Sequence, residues 1–460
     1  MIKKLKEKFS NNKSFEEMAK KTAYSFGMRV LGLLVNYLFL YFVNHKYGTK
    51  SWGIFALCFS MLSIGSMIGT LGVNVALVKI IAQGYSNLME LYKRIMKFFI
   101  PLNLGLNLIV FCFSGLIGKW LSSDGVEIST YIKIASFGIL PFSISMINSA
   151  IFRANKEIVR FSFYDSLGRF LWGGLSVLVL YFFTNNSYTV ISGFVIGLYI
   201  LSFVSFKGLQ KILHKDFSKN KPDITEDSMK ITEQYSTMRK ILKLSVPLFW
   251  SNFIMQGSTW AVTLIIGLYL SKEQVGVFDA INRFASLITI ILYAVNSISA
   301  PKFAESLYSN TKLERNVQSS SKIIFFTTIP LFIVMLFGAP LIFNLLGFYD
   351  AKLPANVNIY FVFCVILLGQ LVNNLSGSVI TLMQMAGFHV LNKNISLISF
   401  IGTTSCLFFV TPLFGLAGAA VIVGLNIAFK NIASVVMIYK KMHILTVYYP
   451  RQFASLKMKK

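Results

Sequence analysis

Charged residues are scarce in this chain. They make up 13% of its 460 residues, whereas 55% are hydrophobic and the mean hydropathy is +0.64. Soluble domains carry about 25% charged residues. Apolar runs of about 18 or more residues, long enough to cross a bilayer as helices, recur along the chain. The composition argues against a soluble globular domain and predicts an all-α integral membrane protein.

Motifs of covalent chemistry are also missing. The four cysteines are scattered through apolar segments and form no CxxC pair, which argues against a disulfide framework or a metal site. The sequence contains no Walker-type phosphate-binding loop, no HExxH, no nucleophile elbow and no carboxylate cluster. It therefore predicts a protein that is not an enzyme and that needs no cofactor.

Twelve segments are apolar and long enough to span a membrane. Their predicted bounds are 22–44, 52–78, 98–118, 128–152, 160–183, 187–207, 241–270, 275–301, 323–346, 356–385, 394–412 and 415–439. The connections expected on the outer side are short, so they leave no room for the large outer catalytic loop of a polysaccharide polymerase or ligase.

Basic residues are distributed very unevenly between the two sides of these spans. Of 44 Lys and Arg residues, 34 lie in the termini, the connections and the adjoining span ends on one side, and 5 lie on the other side. The positive-inside rule predicts that the first side, with both termini, is cytoplasmic. Membrane topology and anionic lipid explain the net charge of +26, and no nucleic acid partner is needed.

The chain has an internal repeat with a shift of 223 residues. This shift aligns Gly53-Ile54-Phe55 with Gly276-Val277-Phe278. Six spans per copy keep the same orientation, so the copies would be related by a pseudo-twofold axis along the membrane normal. The predicted organisation is a basic N-terminal segment (1–21), a six-helix bundle (22–207), a cytoplasmic linker (208–240), a second six-helix bundle (241–439) and a basic tail (440–460).

Several motifs resemble those of the polysaccharide flippases of the multidrug/oligosaccharidyl-lipid/polysaccharide transporter superfamily. They are LGVNVALVKIIAQ (71–83), SVPLFWSN (245–252), SKEQVGVFDAINRFA (271–285) and SISAPKFAE (297–305). The resemblance implies a multi-pass protein of the bacterial cytoplasmic (inner) membrane. It also implies alternating access that moves undecaprenyl-pyrophosphate-linked oligosaccharides outward, for O-antigen, capsule or exopolysaccharide synthesis. Polymerase and chain-length proteins of the same pathway are candidate partners.

Charged side chains inside the spans are the first candidates for a substrate site, because each costs several kcal/mol at mid-bilayer unless it faces a cavity or a partner. They are Arg29, Lys133, Asp165, Arg169, Asp279, Arg283 and Lys430. Each acid precedes an arginine by four residues and can partly neutralise it. We expect Arg29 and Arg283 to line a cationic cavity. Lys133 is interpreted as an interfacial side chain that snorkels towards water.

The Asp165–Arg169 pair and Lys430 have two readings, as cavity-lining groups or as structural ones. Uncharged polar residues of the tenth span also have two possible roles. Gln370, Asn373 and Asn374 are candidates for contact with sugar hydroxyls or for helix–helix hydrogen bonds. Trp260 is a candidate for stacking on a sugar, or a member of an interfacial aromatic belt.

Three alternative functions remain. A drug or cation exporter of the same superfamily would be expected to carry an unpaired acidic residue in its cavity. In this chain both acids within the spans can pair with an arginine, and the net charge within the spans is positive. A membrane polymerase or ligase lacks its expected loops and catalytic cluster. A lipid II translocase would be expected to carry helices beyond twelve. Coupling to the membrane potential, a proton gradient or a sodium gradient stays open.

Overall fold

The fold is helical throughout its described parts. The structure, a computed structural model, describes residues 13–449 apart from 86, 122–124, 185, 219–231, 350–352 and 355–356. Among the described residues, seven helices are long and apolar enough to cross a membrane, and the number of spans rises to as many as nine if each of two bent helix pairs forms one span. The prediction of an all-α, multi-pass membrane protein is confirmed.

The bounds of the described helices are as follows. In chain order they are α1 (Lys13–Thr70), α2 (Val73–Ala82), α3 (Leu88–Cys112), α4 (Ser114–Leu121), α5 (Gly125–Ser136), α6 (Ile139–Ala154), α7 (Ile158–Ser162), α8 (Gly168–Phe183), α9 (Thr189–Ser218), α10 (Met238–Asn252), α11 (Ser258–Tyr269), α12 (Lys272–Ser286), α13 (Ile290–Ser306), α14 (Asn310–Leu345), α15 (Ile359–Leu375), α16 (Val379–Met385) and α17 (His389–Met442). π-Helical turns at Phe163–Leu167 and Phe253–Gly257 join α7 to α8 and α10 to α11, and a 3₁₀ turn at Leu287–Thr289 joins α12 to α13.

Two very long helices are interrupted by glycines in conformations that a helix cannot accommodate. In α1 the interruption is Gly48 (φ 80°, ψ 164°), and in α17 it is Gly415 (φ 57°, ψ −144°). The apolar part of α1, Tyr24–Thr70, has 47 residues and would be about 70 Å long if straight, against a hydrocarbon core of about 30 Å. Gly48 lies within the outer connection predicted at 45–51, and Gly415 directly follows the one predicted at 413–414.

The predicted second span, 52–78, differs from the structure. The helix ends at Thr70, because Leu71 (φ 42°) and Gly72 (φ 75°) adopt left-handed conformations before α2 begins. A Cβ atom on Gly72 would lie 2.4 Å from the carbonyl oxygen of Ser245, so only glycine permits this close approach. Two of the segments that carry the family resemblance, 71–83 and 245–252, therefore contact each other through their backbones.

Other predicted spans also differ from the observed helices. The segment 128–152 is bent by 42° between α5 and α6, and 356–385 is bent by 44° between α15 and α16. At the second bend Gly377 has φ 67°. Helix α9 continues beyond 207 to Ser218, and residues 219–231 of the predicted linker lie outside the described residues.

Tertiary contacts divide the chain into two compact units. One comprises the described residues up to Tyr47 together with Leu57–Phe253, and the other comprises Gly48–Ala56 together with the described residues from Ile254 onward. We refer to them as unit 1 and unit 2. The six-plus-six boundaries predicted from the sequence stay a prediction.

Candidate functional site

The start of α12 is fixed by a reciprocal capping interaction. The Oγ of Ser271 accepts a hydrogen bond from the backbone N–H of Gln274 at 3.3 Å, and the side-chain oxygen of Gln274 accepts one from the N–H of Ser271 at 3.0 Å. This capping box satisfies donors that a helix terminus otherwise leaves unpaired. The polar turn before α12 thus sets the helical register of Asp279 and Arg283.

Asp279 and Arg283 form a mostly buried ion pair. The Nε of Arg283 donates to Oδ2 of Asp279 at 2.7 Å, and their side chains are 16% and 10% exposed, respectively. The guanidinium carbon of Arg283 lies 5.4 Å from the centre of the Trp52 ring, and Trp52 is fully buried. A charge-assisted hydrogen bond and a cation–π contact therefore hold the guanidinium plane from two directions.

Paired glycines bring Trp52 to Arg283. A Cβ on Gly53 would lie 1.7 Å from the carbonyl oxygen of Lys272, and one on Gly276 would lie 2.4 Å from the carbonyl oxygen of Thr49. Gly53 and Gly276 are the residues aligned by the 223-residue repeat, and here they pack against each other. Residues 49–53 consequently contact the first turns of α12 without intervening side chains.

In unit 1, Asp165 and Arg169 also form an ion pair, but a looser one. The distance from Nη2 of Arg169 to Oδ1 of Asp165 is 3.5 Å, and the side chains are 22% and 40% exposed. Asp165 lies in the π-helical turn, where its backbone carbonyl also accepts a hydrogen bond from Arg169. The guanidinium of Arg169 lies 5.1 Å from the ring centre of Phe142. Asp165 thus holds Arg169 through both its carboxylate and its backbone.

Arg29 is exposed on α1 and lies away from the apolar exposed stripe of that helix. Leu31, Leu34 and Leu38 form the stripe. At about 100° per residue, Arg29 projects from the opposite side of α1, the side that also carries the buried Asn36. Arg29 is therefore exposed on the side of α1 that faces away from this apolar stripe. No acidic partner of Arg29 occurs among the residues that the structure describes.

Lys430 occupies a similar position on α17. It is half-buried, and the exposed apolar residues Leu425, Phe429 and Ile432 lie on the other side of the helix. One turn earlier, the side-chain oxygen of Asn426 accepts a hydrogen bond from Ser399. Lys430 therefore lies on a polar face, and within the described ranges no carboxylate pairs with it.

The uncharged candidates have different environments. Asn374 is fully buried, and its Nδ2 donates to the carbonyl of Ile288 at 2.7 Å and to Oγ1 of Thr328 at 3.3 Å. Asn373 is half-buried and donates to Oε1 of the buried Gln370 at 3.3 Å. Trp260, on α11, is half-buried.

Lys133 is exposed, and its ammonium lies 5.8 Å from the ring centre of Phe111. No cluster of three or more His, Cys, Asp or Glu side chains that could hold a metal ion occurs in the described part of the chain.

The contact of Trp52 with Arg283 was not predicted from the sequence. The alignment of Gly53 with Gly276 was a signal for it, because Trp52 directly precedes Gly53 and Gly276 lies on the same helix as Arg283.

The chain is similar to known families and structures over most of its length. The profile of a family described as "Polysaccharide biosynthesis protein" matches residues 48–347. A multidrug resistance MATE family transporter of the MOP superfamily, in an inward-facing conformation, is similar with a TM-score of 0.66 at 13% identity, covering 95% of this chain and 99% of that one. The lipid II flippase MurJ, in an inward closed conformation, is similar with a TM-score of 0.68 at 15% identity. The match covers 91% of this chain and 87% of that one.

A MOP superfamily transporter from Pyrococcus furiosus, described as having a binding pocket of reverse polarity, has a TM-score of 0.59 at 14% identity, covering 93% and 96%. At these identities the structural matches show a shared fold. No curated protein sequence is similar enough to count as a relative.

Proposed function

The chain belongs to the polysaccharide biosynthesis protein family, and on that premise we propose that it is a flippase for polyprenyl-pyrophosphate-linked oligosaccharides. It would move repeat units from the cytoplasmic to the outer leaflet of the bacterial inner membrane for O-antigen, capsule or exopolysaccharide synthesis. The family resemblance seen in the sequence is confirmed, and the fold is shared with transporters that include a lipid II flippase.

The orientation of Arg283 is the observation that carries the proposal. The pyrophosphate is the expensive part of the substrate to bring into an apolar bilayer, because its charges lose hydration. A planar guanidinium matches phosphate oxygens well, and one already oriented by Asp279 and Trp52 loses little freedom on binding. Arg283 would therefore bind the pyrophosphate.

The remaining candidates supply further charge and sugar contacts. Arg29 and Arg169 in unit 1 would each offer a further positive charge to an anion, and so would Lys430 in unit 2. Gln370, Asn373 and Trp260 would contact sugar hydroxyls and rings. Because Asn374 is fully buried and donates to two neighbouring groups, we assign it the helix-packing role.

The proposed topology keeps twelve crossings. The glycine breaks at Gly48 and Gly415 divide α1 and α17 into two crossings each, and α10 with α11 supplies one that is interrupted by a π-helical turn. The uneven distribution of basic residues supports cytoplasmic termini. Transport would proceed by alternating access, and the membrane potential would bias any net charge movement by about 2.3 kcal/mol per charge per 100 mV.

A cation exporter is the main alternative, since MATE family transporters share the fold. Both acids within the predicted spans are paired with arginines, which leaves an excess of positive charge for an anionic substrate. A lipid II-type substrate carries the same pyrophosphate and is distinguished by its sugar. The proposal assigns no covalent chemistry to the protein.

Substitution of the arginines tests the proposal in cells in which this chain is the sole flippase. Arg283→Ala and Arg29→Ala should abolish surface polysaccharide while the amount of protein in the membrane stays unchanged. Lys133→Ala, which removes an exposed cation beside Phe111, is the matched control and should leave export near normal. Normal surface polysaccharide from both arginine variants would rule out the proposed site.

A further inference from the structure

Residues 443–449, which follow α17, pack back on the helical body without forming a helix themselves. After α17 ends at Met442, His443 adopts a left-handed conformation (φ 56°), and residues 443–449 continue without helical structure. We call these residues the C-terminal strap. Ile444 and Thr446 are buried whereas His443 and Val447 are exposed, the alternation of a strand with one packed face.

One glutamine of α14 binds the backbone of the strap at three places. The Nε2 of Gln318 donates to the carbonyl of Leu445 at 2.7 Å and to that of Val447 at 3.1 Å. Its Oε1 accepts from the N–H of Tyr449 at 3.3 Å. Gln318 thus satisfies backbone groups of alternate residues, as the backbone of a neighbouring strand would.

Two further hydrogen bonds hold the strap on α14. The Oγ of Ser321 donates to the carbonyl of Thr446 at 2.5 Å, and the hydroxyl of Tyr449 donates to Glu314 at 2.7 Å. Burial and the Glu314 carboxylate raise the pKa of Tyr449 from 10.0 to about 12. The contribution of this contact is complete below pH 10 and is lost only as the pH rises through the folded-state pKa, so the contact persists at physiological pH.

The strap lies directly against the bend between α15 and α16. A Cβ on Gly377 would lie 2.4 Å from the carbonyl oxygen of Thr446 and 2.6 Å from Oγ of Ser321. Gly377 has φ 67°, so glycine is required there both for the backbone conformation and for the space. The bend and the strap are therefore packed as one feature.

The same bend is hydrogen-bonded to the turn that follows Arg283. Asn374, three residues before Gly377, donates to the carbonyl of Ile288 and to Thr328 of α14. Ile288 belongs to the 3₁₀ turn that follows α12, the helix that carries Arg283. Contacts thus run from the strap through Gly377 and Asn374 to the end of α12.

We propose that the C-terminal strap is a permanent positioning element for Arg283, with Gln318 as the side chain that fixes it in place. The inference rests on the proposed function, because Arg283 is taken to bind the pyrophosphate. It assigns the strap a role in orienting the anion site, and the dense set of hydrogen bonds marks it as a fixed part of the fold rather than a gate.

Gln318→Glu is the sharpest test because it keeps the shape of the side chain. It replaces the donor that faces the carbonyls of Leu445 and Val447 with a carboxylate oxygen, which repels both. We expect binding of polyprenyl pyrophosphate to the purified protein to weaken by roughly fivefold, the scale of coupling through packed contacts. Gln318→Ala should weaken it as well.

Ser319→Ala is the matched control, since Ser319 is exposed and its hydroxyl donates to the carbonyl of Arg315 in its own helix. The Ser319→Ala variant should bind polyprenyl pyrophosphate with the same affinity as the wild-type protein. A wild-type affinity in both Gln318 variants would overturn the proposal.

A cross-link distinguishes a permanent element from one that must open. Ser319 and Val447 are both exposed, and Gln318, the neighbour of Ser319, donates to the carbonyl of Val447. The cross-link is attempted with a short bismaleimide on a Ser319→Cys and Val447→Cys variant that lacks the four native cysteines. We expect efficient cross-linking and unchanged export of polysaccharide in cells. Loss of export after cross-linking, or failure of the two positions to cross-link, would contradict a permanently docked strap.

A final measurement separates this proposal from the proposed function. If the wild-type protein does not bind polyprenyl pyrophosphate, the proposed function fails, and the rate of maleimide labelling of an Arg283→Cys variant then tests the positioning alone. Gln318→Glu should change that rate and Ser319→Ala should not. An identical labelling rate in the Gln318→Glu background would show that the strap does not position this residue.

Discussion

Replacing Arg283 by lysine separates charge from geometry at the candidate anion site. Lysine keeps the positive charge but has no Nε–H to donate to Asp279 and no planar group to stack on Trp52. The first contact, at 2.7 Å, is a hydrogen bond between charged groups worth about 1.5–3 kcal/mol, and the second is worth about 0.5–2 kcal/mol. Solvent screens the pair little, because both side chains are mostly buried.

Lysine recovers part of this loss through its own contact with Asp279. We therefore expect a net loss of about 2 kcal/mol in the binding of a pyrophosphate, or an affinity about 30-fold weaker. The assay is binding of polyprenyl pyrophosphate to purified protein, with Lys133→Arg as a control that exchanges the same two residue types at an exposed position. Equal affinities of the wild-type and Arg283→Lys proteins would refute the argument that guanidinium orientation matters.

Three further substitutions test the surroundings of Arg283. Trp52→Ala should weaken pyrophosphate binding by about 0.5–2 kcal/mol, measured in the same assay, because the ring under the guanidinium is lost; unchanged binding would exclude the cation–π contact. Gly276→Ala should lower the free energy of unfolding by about 1–3 kcal/mol through a clash with the Thr49 carbonyl, whereas Gly105→Ala, which has open space, should not; thermal unfolding in detergent compares them. Asn374→Ala should cost about 1–3 kcal/mol in the same unfolding measurement, because the buried Ile288 carbonyl loses its donor.

Local sequence patterns predicted local structure well. The spacing of Asp279 and Arg283 predicted their pairing, because residues four apart lie on one face of a helix. The connections predicted at 45–51 and 413–414 anticipated a break in each long helix, and the structure has these breaks at Gly48 and at Gly415, directly after the second connection. Apolar composition predicted the membrane-spanning character, which depends on length and hydropathy alone.

Contacts between distant segments were not predictable in the same way. Trp52 and Arg283 are far apart in sequence, and their contact depends on the close packing of Gly53 with Gly276. Periodicity could not distinguish a sugar-binding role for Asn374 from a packing role, because both place an amide on the inner face of a helix. Its burial and its two acceptors became visible only in the structure.

The helix breaks at Leu71–Gly72 and Gly377 likewise depend on contacts between segments that are distant in sequence. Each glycine sits where a backbone from elsewhere in the chain approaches too closely for a Cβ atom. Glycine in an apolar segment is compatible with an unbroken helix, so the composition predicted a continuous span at 52–78 and at 356–385. The tertiary contact, rather than the local propensity, determines where these helices end.

The central claim is tested most directly by reconstituting the purified protein into liposomes that contain a fluorescent polyprenyl-pyrophosphate-linked oligosaccharide. Transfer between leaflets is measured as the fraction of label that becomes accessible to a quencher added outside. We expect fast transfer with the wild-type protein and with Lys133→Ala, and transfer at the protein-free rate with Arg283→Ala. Equal transfer by the wild-type and Arg283→Ala proteins, or no transfer by the wild-type protein, would contradict it.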